Sequence, residues 1–158
     1  MNIFFLDLDP EKAAVLQCDK HIVKMPLETA QMLCTVYHRY GEDAPYKSTH
    51  ANHPSTQWAG SSIENYRWLW KHGVALCNEY THRYGKVHAC LNILTIVQCP
   101  PIKLVARGFT RMPQAMPDQY KGEDVVQAYR EYYKGEKTKI ATWRAPREVP
   151  AFMKEVTA

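Results

Sequence analysis

No stretch of the 158-residue chain approaches the roughly 18 consecutive apolar residues of a membrane span. The opening MNIFFLDLDP has neither a basic start nor a long apolar run, so no secretory signal is expected and the expected location is the cytoplasm. The five cysteines (Cys18, Cys34, Cys77, Cys90, Cys99) are odd in number and contain no C-x-x-C pair. That excludes a disulfide framework and a zinc ribbon and points to a reduced, intracellular setting. Cys18, Cys34 and Cys77 fall in apolar patterns and read as small core residues. G-x-x-x-x-G-K-[ST], G-x-G-x-x-G, G-x-S-x-G and H-E-x-x-H are all absent. Nucleoside-triphosphate hydrolysis, dinucleotide cofactors and α/β-hydrolase chemistry lose their usual support, and no cofactor is expected. Repeats, low-complexity segments and linkers are missing too.

What is present is a globular composition. Hydrophobic residues make up 46% of the chain, enough for one domain to bury a real core. The net charge of +4 is compatible with an anionic partner. Seven histidines, ten tyrosines and four tryptophans suit stacking and polar recognition, although aromatics are also ordinary core material.

Residues 2–8 are apolar and aromatic, a brief strand or an extended buried lead-in. Asp9 followed by Pro10 is a helix start, an N-cap with proline in the first helical position. The spacing then predicts one long helix to about Arg39, kinked or split at Pro26, whose nitrogen has no proton to donate, and stopped by Gly41. A polar loop over 42–53 leads to a second helical region from Pro54 or Ser61, with Ser61-x-x-Glu64 as a capping box and Gly60 as a bend. Trp58, Tyr66, Leu69, Trp70, Val74 and Cys77 carry helical spacing towards Tyr84, and Gly85 closes it. A shorter helix is expected across 88–97, ended by Pro100-Pro101, then an irregular stretch over 102–122 and a last helix from about Asp124 to Lys134. The tail after Gly135 reads as short helix or loop folded back on the body. The expected fold is mainly α: a single compact domain over 1–158, with three to five helices and long irregular connections.

The first helix confines its polarity to a narrow stripe. At about 100° per residue, Gln17, Lys20, His21, Lys24, Glu28, Gln31, Thr35 and His38 share one side, and nearly everything else is apolar. A surface helix has the reverse proportions. A mostly buried helix directs its few ionisable groups into a restricted cleft, where shifted pKa values mark them as site candidates. The bland alternative is a solvated strip with ordinary i,i+4 Lys–Glu pairs. Lys20, Lys24 and Glu28, at i, i+4 and i+8, are the catalytic candidates, with His21 beside them. A lysine crowded by another in a poorly solvated cleft loses charge and becomes nucleophilic. A nearby carboxylate then holds a developing cation or transfers a proton, enough to form and resolve a Schiff base or stabilise an oxocarbenium-like sugar. The competing reading is that both lysines bind phosphate or are structural, with no chemistry.

His50-Ala51-Asn52-His53-Pro54 is a dense polar cluster at a predicted helix start. His50, Asn52 and His53 suit an anion at a helix N-terminus, a base edge or a metal, and Asn52 or His53 serves equally as a plain N-cap. A His–Asn–His nuclease needs a ββα context and no strands are evident, so no metal is expected. Arg83, Lys86 and His88 follow the second helix, where they complement its dipole or add to a basic cleft. The segment Tyr129-Arg130-Glu131-Tyr132-Tyr133-Lys134, continued by Lys137, Lys139, Trp143, Arg144 and Arg147, interleaves basic and aromatic residues. That pattern suits a nucleic-acid backbone with stacked bases, with Arg130 and Lys134 on the phosphates.

The whole layout resembles the small, all-α pyrimidine-dimer DNA glycosylases of the phage endonuclease V type. The resemblance lies in the short lead-in, the polar-striped first helix, and the Asn52-His53-Pro54 turn before a helix with Trp58 and Trp70. It continues through Arg83-Tyr84-Gly85, a proline-rich connection and an aromatic, basic C-terminal segment. It implies DNA as partner and base excision at damaged or modified pyrimidines. In that family the nucleophile is the amino terminus of a threonine exposed by removal of methionine, acting with a glutamate of the first helix. Here Asn2 follows Met1, a residue before which methionine is less readily removed, and Glu28 is the counterpart of the glutamate, further along the chain. The chain also resembles uncharacterised tailed-phage proteins with a similar Cys18-Asp19-Lys20-His21 and Met116-Pro117 pattern, which implies phage origin and the host cytoplasm. The expectation is therefore a glycosylase or lyase with Glu28, Lys20, Lys24 and His21 at its centre. A non-enzymatic nucleic-acid-binding protein and an enzyme of DNA or nucleotide hypermodification stay open.

Overall fold

A computed structural model describes residues 1–157, with side chains through residue 154. The Asp9 carboxylate accepts the amides of Glu11 and Lys12, and Pro10 occupies the first turn of α1 (Pro10–Val15). Cys18 then turns extended and a new helix begins, α2 (Asp19–Arg39). The expected single helix is thus split well before Pro26, and α2 continues through Pro26. No proline or glycine marks the break. Instead tertiary partners take the freed amides: Cys18 N donates to the Tyr133 hydroxyl at 3.3 Å and Asp19 N to the Thr142 carbonyl at 2.8 Å. Helical propensity has yielded to acceptors distant in sequence.

The second helical region is also divided. His53 caps α3 (Pro54–Ala59), its Nδ1 accepting the Ser55 amide, and Gly60 ends it. The next helix, α4 (Ile63–Tyr84), is capped by Ser62 rather than Ser61. Ser62 Oγ accepts the Asn65 amide, while the Ser61 hydroxyl donates to the Gln57 carbonyl. Glu64 closes no capping box and instead accepts the amides of Arg107 and Gly108. The remaining helices are α5 (Cys90–Ile96), α6 (Val125–Glu136) and α7 (Ala151–Thr157), with one 3-10 turn at Asp118–Tyr120. The mainly α class holds, with no strand among the described residues. Among the described residues seven helices replace the expected three to five because two of the expected regions break.

The α1, α2, α3 and α5 helices all pack on α4, and α6 packs on α7. A Cβ on Gly73 would stand 2.7 Å from Thr29 Cγ2, so glycine is what lets α4 lie this close to α2. The lead-in is extended and runs through the core, with Ile3, Phe4, Phe5 and Leu6 all buried. Phe5 packs against Trp58 and Trp68, and Phe4 lies between His21 and the tyrosines of α6. Arg130 Nε donates to the Leu6 carbonyl at 2.9 Å. Burying each of these side chains contributes about 1.5–3 kcal/mol, which fixes a chain end that would otherwise fray. None of the helices searched is long and apolar enough to cross a membrane.

Candidate active site

That buried lead-in delivers the amino terminus to α2. A cavity of about 400 Å³ opens there, bounded by the lead-in, α2, the start of α3 and the end of α6. Glu28 lies within it, only 8% exposed. Its Oε1 accepts the Asn2 backbone amide at 3.1 Å and stands 3.4 Å from the Met1 amino nitrogen. Its Oε2 stands 3.6 Å from Lys24 Nζ. Asn2 anchors this end through both halves of its side-chain amide. The Oδ1 accepts from the Tyr129 hydroxyl at 2.8 Å, and Nδ2 donates to the Ala115 carbonyl at 2.9 Å.

Of the other α2 candidates, His21 lines the same cavity, buried, with Nδ1 hydrogen-bonded to the Tyr133 hydroxyl and Phe4 stacked on its ring. Burial, then the Lys137 and Lys24 ammonium groups, lower its pKa to about 3. Lys24 stands at the edge with a 70% exposed side chain. Lys20 is exposed and does not line the cavity. The helix stripe is thus divided: one carboxylate and one imidazole turn inward, one lysine sits at the mouth, and one faces away.

The His50–Pro54 cluster also separates. His53 lines the cavity, and burial, then the chain's amino terminus and His50, hold its pKa below the usual histidine value. His50 is exposed and hydrogen-bonded to Thr49 Oγ1, and Asn52 lines a different concavity beside Arg39 and Gln57. Arg83 is 5% exposed and wholly engaged inside the molecule. Its Nε donates to Glu79 at 2.8 Å, Nη1 to Asp19 at 3.1 Å and Nη2 to the Val15 carbonyl at 2.9 Å. Arg83 was expected at a DNA backbone; in the structure its guanidinium ties α4 to α1 and α2. His88 has both ring nitrogens occupied, by the Val23 carbonyl and the Cys90 amide, and staples the loop after α4 to α2. Arg130 donates to Leu6, pairs with Asp7 and lies over the Phe152 ring. Lys134 pairs with Glu131 at 2.6 Å, and Lys86 is exposed.

Three further groups border the cavity, of which the sequence pattern had named Tyr132 and Lys137 without singling them out. The Met1 amino group is a main-chain feature without a side-chain signature. Tyr132 and Lys137 line the cavity, with Lys137 Nζ 4.9 Å from the Tyr132 ring centre. The basic–aromatic pattern flagged their segment, but only the packing of α6 on the lead-in selects these two over Arg130 and Lys134. Together the Met1 amino group, Lys24 and Lys137 oppose the single carboxylate of Glu28, which makes a mouth suited to phosphate. No group of three or more metal-ligating side chains gathers among the described residues.

No curated protein and no solved structure shows a significant match to the chain. A family model for pyrimidine dimer DNA glycosylases matches residues 1–92, the segment that carries Met1, Asn2, His21, Lys24, Glu28 and His53. The chain therefore belongs to the pyrimidine dimer DNA glycosylase family.

Proposed function

We propose that the chain excises a damaged or modified pyrimidine from DNA through an amine nucleophile, and that the amine is the chain's α-amino group rather than Lys20 or Lys24. The observation that carries this reading is the pairing of one oxygen of Glu28 with both the Met1 amino nitrogen and the Asn2 backbone nitrogen. Removal of Met1 would convert the Asn2 nitrogen into the α-amine without moving it, so either form of the terminus offers an amine to the same carboxylate. As a class, α-amino groups lose their proton near pH 8 and lysines only near pH 10.4, so an α-amine is the better nucleophile at neutral pH. The exposed Lys24 suits a phosphate at the mouth.

In this reading the nitrogen attacks C1′ of the extruded nucleotide and the C1′–N1 bond breaks, its electron pair leaving with the base. Glu28 takes a proton from the attached ammonium and returns it to O4′ as the sugar ring opens, leaving an iminium between nitrogen and C1′. The base takes its proton from water. Loss of a C2′ proton then expels the 3′ phosphate, and water hydrolyses the imine to restore the amine. Borohydride reduction during incubation with an oligonucleotide containing a cis-syn thymine dimer tests the reading. A covalent protein–DNA adduct is expected; cleavage of the C1′–N1 bond without an adduct, read as an alkali-labile site because the freed base stays tethered through the dimer, would overturn the amine nucleophile, and neither product would overturn the glycosylase reading.

A further inference from the structure

His21 and Glu28 are the two buried ionisable side chains of this cavity, and excision as written above leaves His21 without a task. The geometry around its ring is determined by Tyr133, whose side chain is fully buried. Burial holds the phenol well above its ordinary pKa, so the hydroxyl keeps its proton. The oxygen accepts the Cys18 amide at 3.3 Å. Its proton has two acceptors in reach, His21 Nδ1 and Cys18 Sγ at 3.7 Å, and the thiol sulfur is the weaker. Nδ1 therefore accepts, and in a neutral imidazole the ring proton then resides on Nε2, the remaining polar atom of a ring that lines the cavity.

Burial and two neighbouring lysines keep this imidazole neutral against the Glu28 carboxylate. Lys24, Glu28 and Cys18 approach from α2 and its start, Tyr133 and Lys137 from α6 and its end, the Met1 amino group from the lead-in and His53 from the cap of α3. Burial, followed by the two lysines, places its titration at about pH 3. Phe4, stacked at 4.2 Å and 15°, fixes the plane of the ring. Tyr132 adds a second aromatic face, 6.4 Å from Phe4 between ring centres and inclined by 23°.

We propose that His21 donates its Nε2–H to a carbonyl oxygen of the pyrimidine leaving the sugar, and that Tyr133 is the positioning residue that fixes this tautomer. The inference rests on the glycosylase reading above. When C1′–N1 breaks, the departing electron pair spreads from N1 onto the O2 carbonyl of the base. A donor already fixed in a buried wall stabilises that charge with little reorganisation. The half-buried Tyr132 ring offers an apolar face to the base on the same wall.

Nitrogen-15 NMR of the wild-type protein reads the tautomer directly, without substrate. The Nε2–H form, unchanged from pH 5 to 8, is expected; an Nδ1–H form or a titration in that range would overturn the inference. The chemical role is read by comparing base excision from thymine-dimer DNA with borohydride trapping on the same oligonucleotide carrying an abasic site. His21→Ala is expected to lower the ratio of excision to trapping at least tenfold, and His21→Gln, whose amide nitrogen substitutes for Nε2, to recover most of it. Tyr133→Phe is expected to lower the ratio and introduce a pH dependence. An equal loss on both substrates would overturn the inference, whereas absence of both activities in the wild type would overturn the glycosylase reading instead.

Discussion

The Asn2 backbone nitrogen lies 3.1 Å from Glu28 Oε1, so the second residue of the chain is hydrogen-bonded to a buried carboxylate on α2. Met1 shares that oxygen at 3.4 Å. If this pairing supplies the reactive amine, a short peptide added before Met1 removes it while leaving every side chain in place. Extended protein is expected to bind dimer-containing DNA within a few-fold of the unextended form and to give no borohydride adduct, as read by gel shift and trapping in parallel.

Glu28 carries the proton traffic in this account. Glu28→Gln keeps the shape and an acceptor oxygen but cannot take a proton. Single-turnover excision is expected to fall by about 10²–10⁴-fold, the usual contribution of general acid–base catalysis, with DNA affinity little changed.

Asn2 is expected to matter for position. Asn2→Ala removes the partner of the Ala115 carbonyl and leaves the Tyr129 hydroxyl only its longer bond to the Pro113 carbonyl at 3.3 Å, at a cost of about 1–3 kcal/mol in stability. Freed from these anchors, the terminus no longer stands at one place, and excision should fall by about tenfold or more. Denaturant unfolding and single-turnover rates measure the two effects separately.

Arg83 and Lys137 are expected to behave in opposite ways. Arg83→Ala leaves Glu79 with Arg147 alone and Asp19 with the Thr142 hydroxyl and the Arg144 amide, and should cost about 1–3 kcal/mol of stability. Lysine, with no planar fork, would not restore it. Lys137→Ala and Lys24→Ala should change stability by less than about 0.5 kcal/mol, yet each should reduce the slope of log affinity against log salt by about 1.

Two buried histidines make stability sensitive to acid. His72 donates through Nδ1 to the Pro10 carbonyl and accepts from Gln17 at Nε2, and burial lowers its pKa to about 4. His21 is lowered to about 3 by burial and the neighbouring lysines. Below about pH 6.5 the unfolded chain protonates both while the folded protein does not, so stability falls with pH until the folded values are reached. The loss approaches about 3 kcal/mol per histidine near pH 4. Melting temperatures should be flat above pH 7 and decline steadily from pH 6.5 to 4.5, and His72→Gln should lessen the decline.

The helical character of the fold was legible because periodicity and caps are local: Asp9-Pro10 and Gly85 mark ends where they are expected, and Gly60, expected as a bend, ends α3. The break after Val15 was not, because it depends on Tyr133 and Thr142. The site was half legible for the same reason. The breadth of the apolar face pointed to Lys20, His21, Lys24 and Glu28 together as inward groups, and of these His21 and Glu28 are buried. Nothing in helical spacing tells that Lys20 faces away, that Arg83 is engaged by Glu79 and Asp19, or that the chain's own terminus stands beside Glu28. Those facts follow from tertiary packing: Arg83 joins α4 to α1 and α2, and Tyr129 and Arg130 of α6 hold the lead-in that sets the terminus beside Glu28.

The most direct measurement is proteolysis of the borohydride-reduced adduct, followed by mass spectrometry of the nucleotide-bearing peptide. The account predicts the remnant on the α-amino nitrogen of the N-terminal peptide, whether that begins at Met1 or Asn2. A remnant on Lys20 or Lys24, with an unmodified terminus, would contradict it.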